Sequence, residues 1–325
     1  MTYDQRMRRL VRIGCAAIVI ALAVFLFIKR GPEPPKPNPP GTWSFAVLGD
    51  APYYAWEEMQ YPLVLKELRS NDLAFVIHVG DIWWRPCTDD HYRQALGWFD
   101  AMGHPVIYTP GDNETFDCWE PGSGGYAPQE RWAALRRIFF SHPTQSLGPT
   151  RIPLTTQGGE FVENARWTRD GIVFATVDLI GTRNGMREFP ARTPADDAAA
   201  RRRTEAAAAW TREAFAEAVR TNARAVVVGF QANMGLENPR DDYRNAFEPF
   251  LVTVEQEAAR FGRPVLLVHG DGHVYIVDHP FRAANITRMQ VPGSPRVGWV
   301  RVTVRNDATN PFAFEQHVVP RWKYW

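Results

Sequence analysis

The chain carries almost no net charge: across 325 residues, 37 Lys and Arg stand against 36 Asp and Glu, and the basic residues are scattered. Scattered, balanced charge builds no polyanion-binding face, so a nucleic-acid partner is not expected. Its densest basic run, Arg201-Arg202-Arg203, falls within Pro194 to Thr221, a stretch rich in Ala, Glu and Arg. That composition reads as the solvated face of a helix. No segment repeats, which excludes a solenoid or propeller. Cysteine is scarce: Cys15, Cys87 and Cys118 allow at most one internal bridge. Long apolar runs are scarce too, and the one present, Ile13 to Ile28, stands at the N-terminus.

Arg6, Arg8, Arg9 and Arg12 precede that run, and Lys29 and Arg30 close it. The run is slightly shorter than the ~17–25 residues of a spanning helix, but flanking Arg and Lys can snorkel and lengthen it. No small-x-small cleavage site follows, so the expectation is an uncleaved, single-pass signal anchor. The heavier N-terminal charge places the start of the chain in the cytoplasm and the remainder on the periplasmic or other extracytoplasmic side. Gly31 to Gly41 holds six prolines and reads as a stalk of ~3.1 Å per residue. The expected divisions are therefore a basic segment, 1–12; an N-terminal transmembrane helix, 13–28; a Pro-rich linker, 29–41; and one folded domain, 42–325.

Within the domain, four short motifs each follow an apolar run: Leu48-Gly49-Asp50, Val79-Gly80-Asp81, Pro110-Gly111-Asp112-Asn113-Glu114 and His269-Gly270-Asp271-Gly272-His273. In an open α/β sheet, residues just beyond strand ends converge on one crevice. Carboxylate and amide oxygens with one imidazole suit Mn, Fe, Zn or Mg, and two such ions about 3.5–4 Å apart clamp phosphoryl transfer. A single Gly-Asp is ordinary turn chemistry; four in series point to a metal site.

These motifs resemble those of the calcineurin-like metallophosphoesterases. The match is nearest to a bacterial subgroup with Gly49-Asp50-Ala51-Pro52-Tyr53, Pro110 to Glu114 and His269 to His273 in their given forms. Phe161-Val162-Glu163-Asn164, Gly229-Phe230-Gln231-Ala232-Asn233 and Val291-Pro292-Gly293-Ser294 extend the resemblance over the whole domain. It implies a four-layer α/β/β/α sandwich, a phosphoester substrate and a divalent metal cofactor, in two ions. By position, Asp81 would bridge the ions, Asp50 and His273 would complete one, and Asp112 or Asn113 with Asp271 or Gln231 the other. The departures fall on ligand and acid positions: Pro52 and Asp271 replace ligand histidines, Asn113 stands at the catalytic His, and Gln231 stands at or near a lone His. The oxygen-rich set favours harder ions such as Mg²⁺ or Mn²⁺.

An amide is no acid at neutral pH, so Asn113 cannot protonate a leaving group as the family His would. His269, His91 and Glu114 are the candidates for that step; otherwise substrates with acidic leaving groups are favoured. His78, inside an apolar strand, reads as a core residue. Tyr53, Tyr54, Trp83 and Trp84 follow the first two motifs and either wall the pocket or pack the loops. Cys87 and Cys118 each follow a metal motif by six residues; a disulfide tying the two loops is favoured over free thiols or metal ligation. The runner-up function is a non-hydrolytic binding or scaffold protein with a degraded metal site.

Strands are expected at 43–48, 73–79, 106–109, 172–179, 225–229, 265–268, 274–277 and 297–304, and helices at 56–68, 89–102, 128–140, 194–221 and 242–261. Early alternation of strand and helix gives an α/β fold with a largely parallel sheet. The segments after Ala225 suggest a second sheet with more antiparallel content. Phe116 to Gly159 reads as a long excursion over the pocket mouth.

Overall fold

Alternating side chains in two strands decide the layering. In β1 (Trp43–Leu48), Ala46 and Leu48 enter one apolar core while Phe45 and Val47 enter another. In β7 (Ala225–Gly229), Val227 joins Phe45 and Val47, whereas Val226 and Val228 face a third core. Each strand is buried on both faces, so two sheets pack against each other and helices cover the outer face of each. The computed structural model that shows this describes residues 35–84, 86–237 and 242–320.

The first sheet has five strands in the order β12-β11-β1-β2-β3, with β2 at Val76–His78, β3 at Val106–Tyr108, β11 at Gly298–Val304 and β12 at Phe312–Val318. β1, β2 and β3 run parallel, and β11 and β12 are antiparallel additions. α1 (Ala55–Arg69), α2 (Asp89–Ala101) and α3 (Pro128–Phe139) supply Val64, Leu68, Phe99 and Leu135 to the core behind it. The seven-stranded second sheet runs β4-β5-β6-β7-β8-β10-β9, with β4 at Thr155–Thr156, β5 at Ala165–Arg169, β6 at Ile172–Thr176, β8 at Val265–His269, β9 at Ile276–Asp278 and β10 at Ile286–Gln290. α4 (Pro194–Arg220) and α5 (Glu248–Phe261) cover its outer face through Trp210, Phe215, Phe250 and Val254.

Local chemistry sets several element ends. Thr88 caps α2 by accepting the His91 N–H, and Asp89 and Asp90 complement the positive helix end. α5 stops at Gly262, whose φ of 66° favours a residue without Cβ.

The structure corrects the expectation for the second sheet. It begins before Ala225, its centre β6-β7-β8-β10 is parallel, and β11 returns to the first sheet beside β1. β10 escapes apolar patterning because it carries Arg288, which is fully buried and satisfied by Asp278 and Glu237. β5 and β12 lie toward sheet edges and are buried only in part, so neither forms an apolar run. The helix expected over 128–140 is present as α3, which occupies the middle of the stretch after Phe116 and packs against the first sheet. Among the described residues no helix is long and apolar enough to cross a membrane; the anchor expected over 13–28 lies outside them.

Cys87 and Cys118 form a disulfide, 31 residues apart, joining the loop after β2 to the turn after β3. Loop-closure entropy for that separation suggests about 3–4 kcal/mol of stabilisation. A Cys87→Ser/Cys118→Ser variant is accordingly expected to unfold at lower urea, read as a shift in midpoint.

Candidate metal centre

Six parallel strand ends meet at one edge of the paired sheets. Asp50 follows β1, Asp81 follows β2, Asp112 follows β3, Gly181 and Thr182 lie beyond β6, Gln231 follows β7, and Asp271 and His273 follow β8. Asp50, Asp81, Asp271 and His273 all adopt left-handed backbone, with φ of 54°, 54°, 67° and 57°. Each costs on the order of 1–3 kcal/mol, and such strain gathers where side chains must be aimed. The motif glycines make room for carboxylates: a Cβ on Gly111 would overlap the Asp81 carboxylate, and one on Gly270 would overlap Asp50.

Asp50, Asp81 and His273 each offer a ligand atom within 4.8 Å of the others. Asp50 Oδ1 accepts the Asp271 N–H at 2.8 Å, and its buried Oδ2 has no hydrogen-bond partner. Asp81 Oδ1 accepts the Asn113 N–H at 3.2 Å, and Oδ2 accepts the Tyr53 hydroxyl at 2.6 Å. His273 Nδ1 stands 2.8 Å from the Ser294 carbonyl. Donation there leaves the Nε2 lone pair toward Asp50, whose Oδ1 is 3.8 Å away, the arrangement a histidine ligand requires.

On the other side, Asp112 Oδ2 accepts the Thr182 hydroxyl at 3.0 Å while its buried Oδ1 stays unpartnered. Asp271 Oδ2 accepts the Asn233 N–H at 2.7 Å. The Gln231 side-chain oxygen is engaged by the Gly181 N–H at 2.5 Å. Thr182 is delivered by three successive left-handed residues, Thr182, Arg183 and Asn184. Buried Asn184 locks that turn, accepting from Arg203 Nε at 3.0 Å and donating to the Thr204 hydroxyl at 2.6 Å.

The field is strongly acidic. Burial raises the carboxyls of Asp50, Asp81 and Asp112 well above their ordinary range, and each is raised further by the charges of its neighbours. Burial brings Asp271 to about 6, and the Asn233 N–H opposes the rise. Burying mutually repelling carboxylates is costly unless a cation compensates them. Among the described residues, Arg187 is the one cation lining the cavity of about 510 Å³ that Asp81, Asp112, Asn113, Asp271 and His273 also line. Without an ion, the folded state holds these protons more tightly than the unfolded chain does. Stability is then fully present in acid and is lost as pH rises from the ordinary carboxylate range through about 6 for Asp271, and to higher pH for its neighbours. Chelated protein is expected to melt lower at pH 8 than at pH 5, with added Mn²⁺ reversing most of that loss, as read by thermal denaturation.

The three candidate acids are not brought to this cavity. Glu114 is fully buried beneath it and accepts the N–H groups of Asp81 at 3.0 Å, Ile82 at 3.2 Å and Gly111 at 2.7 Å, and the Tyr108 hydroxyl at 2.8 Å. It is the brace that joins the second and third motifs. His269 is buried and stacked on Phe230, with its pKa lowered to about 4 by burial, so it is uncharged at pH 7. His91 sits on the first turn of α2 with Nδ1 2.6 Å from the Pro86 carbonyl. His78 is a core residue whose burial lowers its pKa to about 3. Tyr53, Tyr54 and Trp84 line the cavity, whereas Trp83 packs in the first core.

Sequence reasoning missed Asp117, Glu120 and Arg187, all of which line the cavity. Asp117 is raised to about 7 by burial and by Glu120, with Arg187 opposing. The only sequence signal was that Asp117 lies five residues beyond Asp112, on the loop closed by Cys118.

No known family model matches the chain, and no curated protein matches it. Among solved structures it is similar to GAP50, the anchor in the inner membrane complex of Plasmodium, at 11% identity and a TM-score of 0.48, over 87% of this chain and 85% of that one. It is also similar to a 5'-nucleotidase from Candida albicans SC5314, at 11% identity and a TM-score of 0.43, over 87% of this chain and 52% of that one. The chain thus spans about half the length of that nucleotidase. Likeness this distant carries no conclusion about activity.

Proposed function

We propose that the chain is a membrane-anchored, metal-dependent phosphoester hydrolase of the calcineurin-like metallophosphoesterase type, acting on the extracytoplasmic side. The observation that carries this reading is the pair of buried, unpartnered carboxylate oxygens, Asp50 Oδ2 and Asp112 Oδ1, in an acidic cluster that also presents a histidine. The donor set fits divalent ions: Asp50, Asp81 and His273 would hold one, and Asp81 with Asp112, Asp271 and Asn113 a second. Gln231 is already occupied by Gly181 and fits a bracing role better than a ligand role. Bound ions supply an activated water and polarise phosphoryl oxygens.

The remaining work belongs to the chain. Tyr53 orients Asp81 through its hydroxyl, and Thr182 orients Asp112. Arg187, on the cavity wall, offers a guanidinium to phosphate oxygens. Among the described residues no other imidazole lines the cavity to protonate a departing alkoxide, since His273 is assigned to metal. Substrates whose leaving group departs as a stable anion are therefore favoured, and aryl esters are expected to exceed alkyl esters in kcat/KM by about 100-fold or more, the lower end of what general acid catalysis contributes. Membrane attachment rests on the N-terminal sequence, and the disulfide supports an oxidising compartment.

The scarcity of imidazole, with His273 alone lining the cavity among the described residues, favours the second reading, a binding protein that keeps the site without turnover. Hydrolysis of aryl phosphate monoesters and diesters, with and without added divalent ion, separates the two. Metal-dependent turnover supports the hydrolase; folded protein that binds Mn²⁺ and turns over neither class would establish the binding role.

A further inference from the structure

A second cavity, of about 520 Å³, lies behind the wall of the first. Two short segments, 117–121 and 187–190, contribute residues to both cavities and so form the wall between them. Asp117, Glu120 and Arg187 line the acidic cavity. Trp119, Pro121 and Phe189 line the other. Trp119 and Phe189 are stacked there, with ring centroids 5.7 Å apart, and Tyr126 and Pro128 extend the apolar surface. The polar side chains of the lining are Gln129, Thr193 and Asp196, beside the Tyr126 hydroxyl and the Trp119 indole N–H. An aromatic and proline floor with a few polar groups is the usual character of a small-molecule site, and no part of the hydrolytic reading uses it.

Glu120 and Arg187 meet within that wall. Their closest approach is 3.8 Å, and the Arg187 side chain is 55% exposed. A loose, exposed pair of this kind contributes little stability. A ligand can therefore lie across it, with its phosphate on the acidic side and its hydrocarbon on the aromatic side.

Resting on the hydrolase reading above, we propose that the substrate is an amphiphilic phosphoester, whose phosphoryl group sits at the carboxylates beside Arg187 and whose apolar tail occupies the Trp119–Phe189 cavity. The occupant is the substrate's own hydrocarbon, because this cavity shares its wall with the site where the phosphate must bind. A tail held there contributes binding by leaving water, and the polar head contributes register.

The test uses the full chain, Mn²⁺ and two probes of identical head group, butyl phosphate and dodecyl phosphate, titrated by calorimetry below the micelle-forming concentration. Since even one buried methylene can discriminate by about tenfold or more, the dodecyl ester is expected to bind at least about tenfold tighter. Ala191→Glu and Ala127→Glu alter exposed residues that line the apolar cavity and belong to no part of the acidic one. Each is expected to abolish the chain-length preference while leaving p-nitrophenyl phosphate hydrolysis within about twofold of wild type, as for other surface changes. Equal affinity for the two probes, or a preference that survives both substitutions, would overturn the proposal. If the wild-type chain hydrolyses no aryl phosphate, the hydrolase reading falls, and the two-probe comparison still decides the tail cavity.

Discussion

Asp50→Asn is expected to raise the melting temperature of chelated protein and to abolish the further rise that Mn²⁺ brings to the wild type. Asn keeps the oxygen that accepts the Asp271 N–H, so the local turn survives. The new amide replaces Oδ2, the oxygen that has no partner and faces neighbouring carboxylates. Removing one buried negative charge relieves repulsion that the ion-free fold must otherwise bear. The same change deletes a ligand. Loss of partners that merely support a ligand costs ~10–100-fold in affinity or activity, so loss of a ligand itself should cost at least about 100-fold. A residue that gains stability and loses function on substitution is held for chemistry, and a purely structural Asp50 would give the opposite pair of results. Differential scanning calorimetry with and without Mn²⁺, beside aryl phosphate turnover, reads both effects.

Glu114→Ala should act in the other direction. Its carboxylate satisfies three backbone N–H groups and the Tyr108 hydroxyl, and burial raises its pKa while those donors oppose the rise. Removal leaves four buried donors without an acceptor, each costing ~1–3 kcal/mol. Allowing for partial relaxation, the loss is about 4 kcal/mol or more, among the largest expected of any single change. Urea denaturation of the variant should show a sharply lowered midpoint at every pH. Had Glu114 been the proton donor, the variant would instead fold normally and lose turnover of alkyl esters first.

These two carboxylates show how far the sequence is legible. Asp50 and Glu114 both stand in motifs after apolar strands, and spacing marks both as site residues. It does not show which way each side chain turns. Asp50 is aimed by a left-handed backbone conformation into the acidic cluster, whereas Glu114 turns inward to gather N–H groups from two loops. The parallel strands β1, β2, β3, β6, β7 and β8 were readable because burial on both faces demands unbroken apolar runs. β10 was not, because Arg288 interrupts its run and is neutralised by Asp278 on the neighbouring strand and by Glu237, 51 residues away. Asp117 and Arg187 were hidden for a related reason: one sits in a short 3-10 turn, Phe116–Trp119, and the other in a bend, and the proximity of each to the cavity follows from tertiary packing. The Cys87–Cys118 bridge lay between these cases, suggested by symmetric spacing after two motifs and completed by loops that the sheet order brings together.

The metal centre itself is tested most directly by calorimetric titration of Mn²⁺ into chelator-treated full chain, with Asp50→Asn and Asp81→Asn measured in parallel. The account predicts saturable binding by the wild type, with release of protons from the raised carboxyls, and loss of that binding in both variants. Wild-type protein that is folded and takes up no Mn²⁺, Fe²⁺, Mg²⁺ or Zn²⁺, or variants that bind as the wild type does, would contradict it.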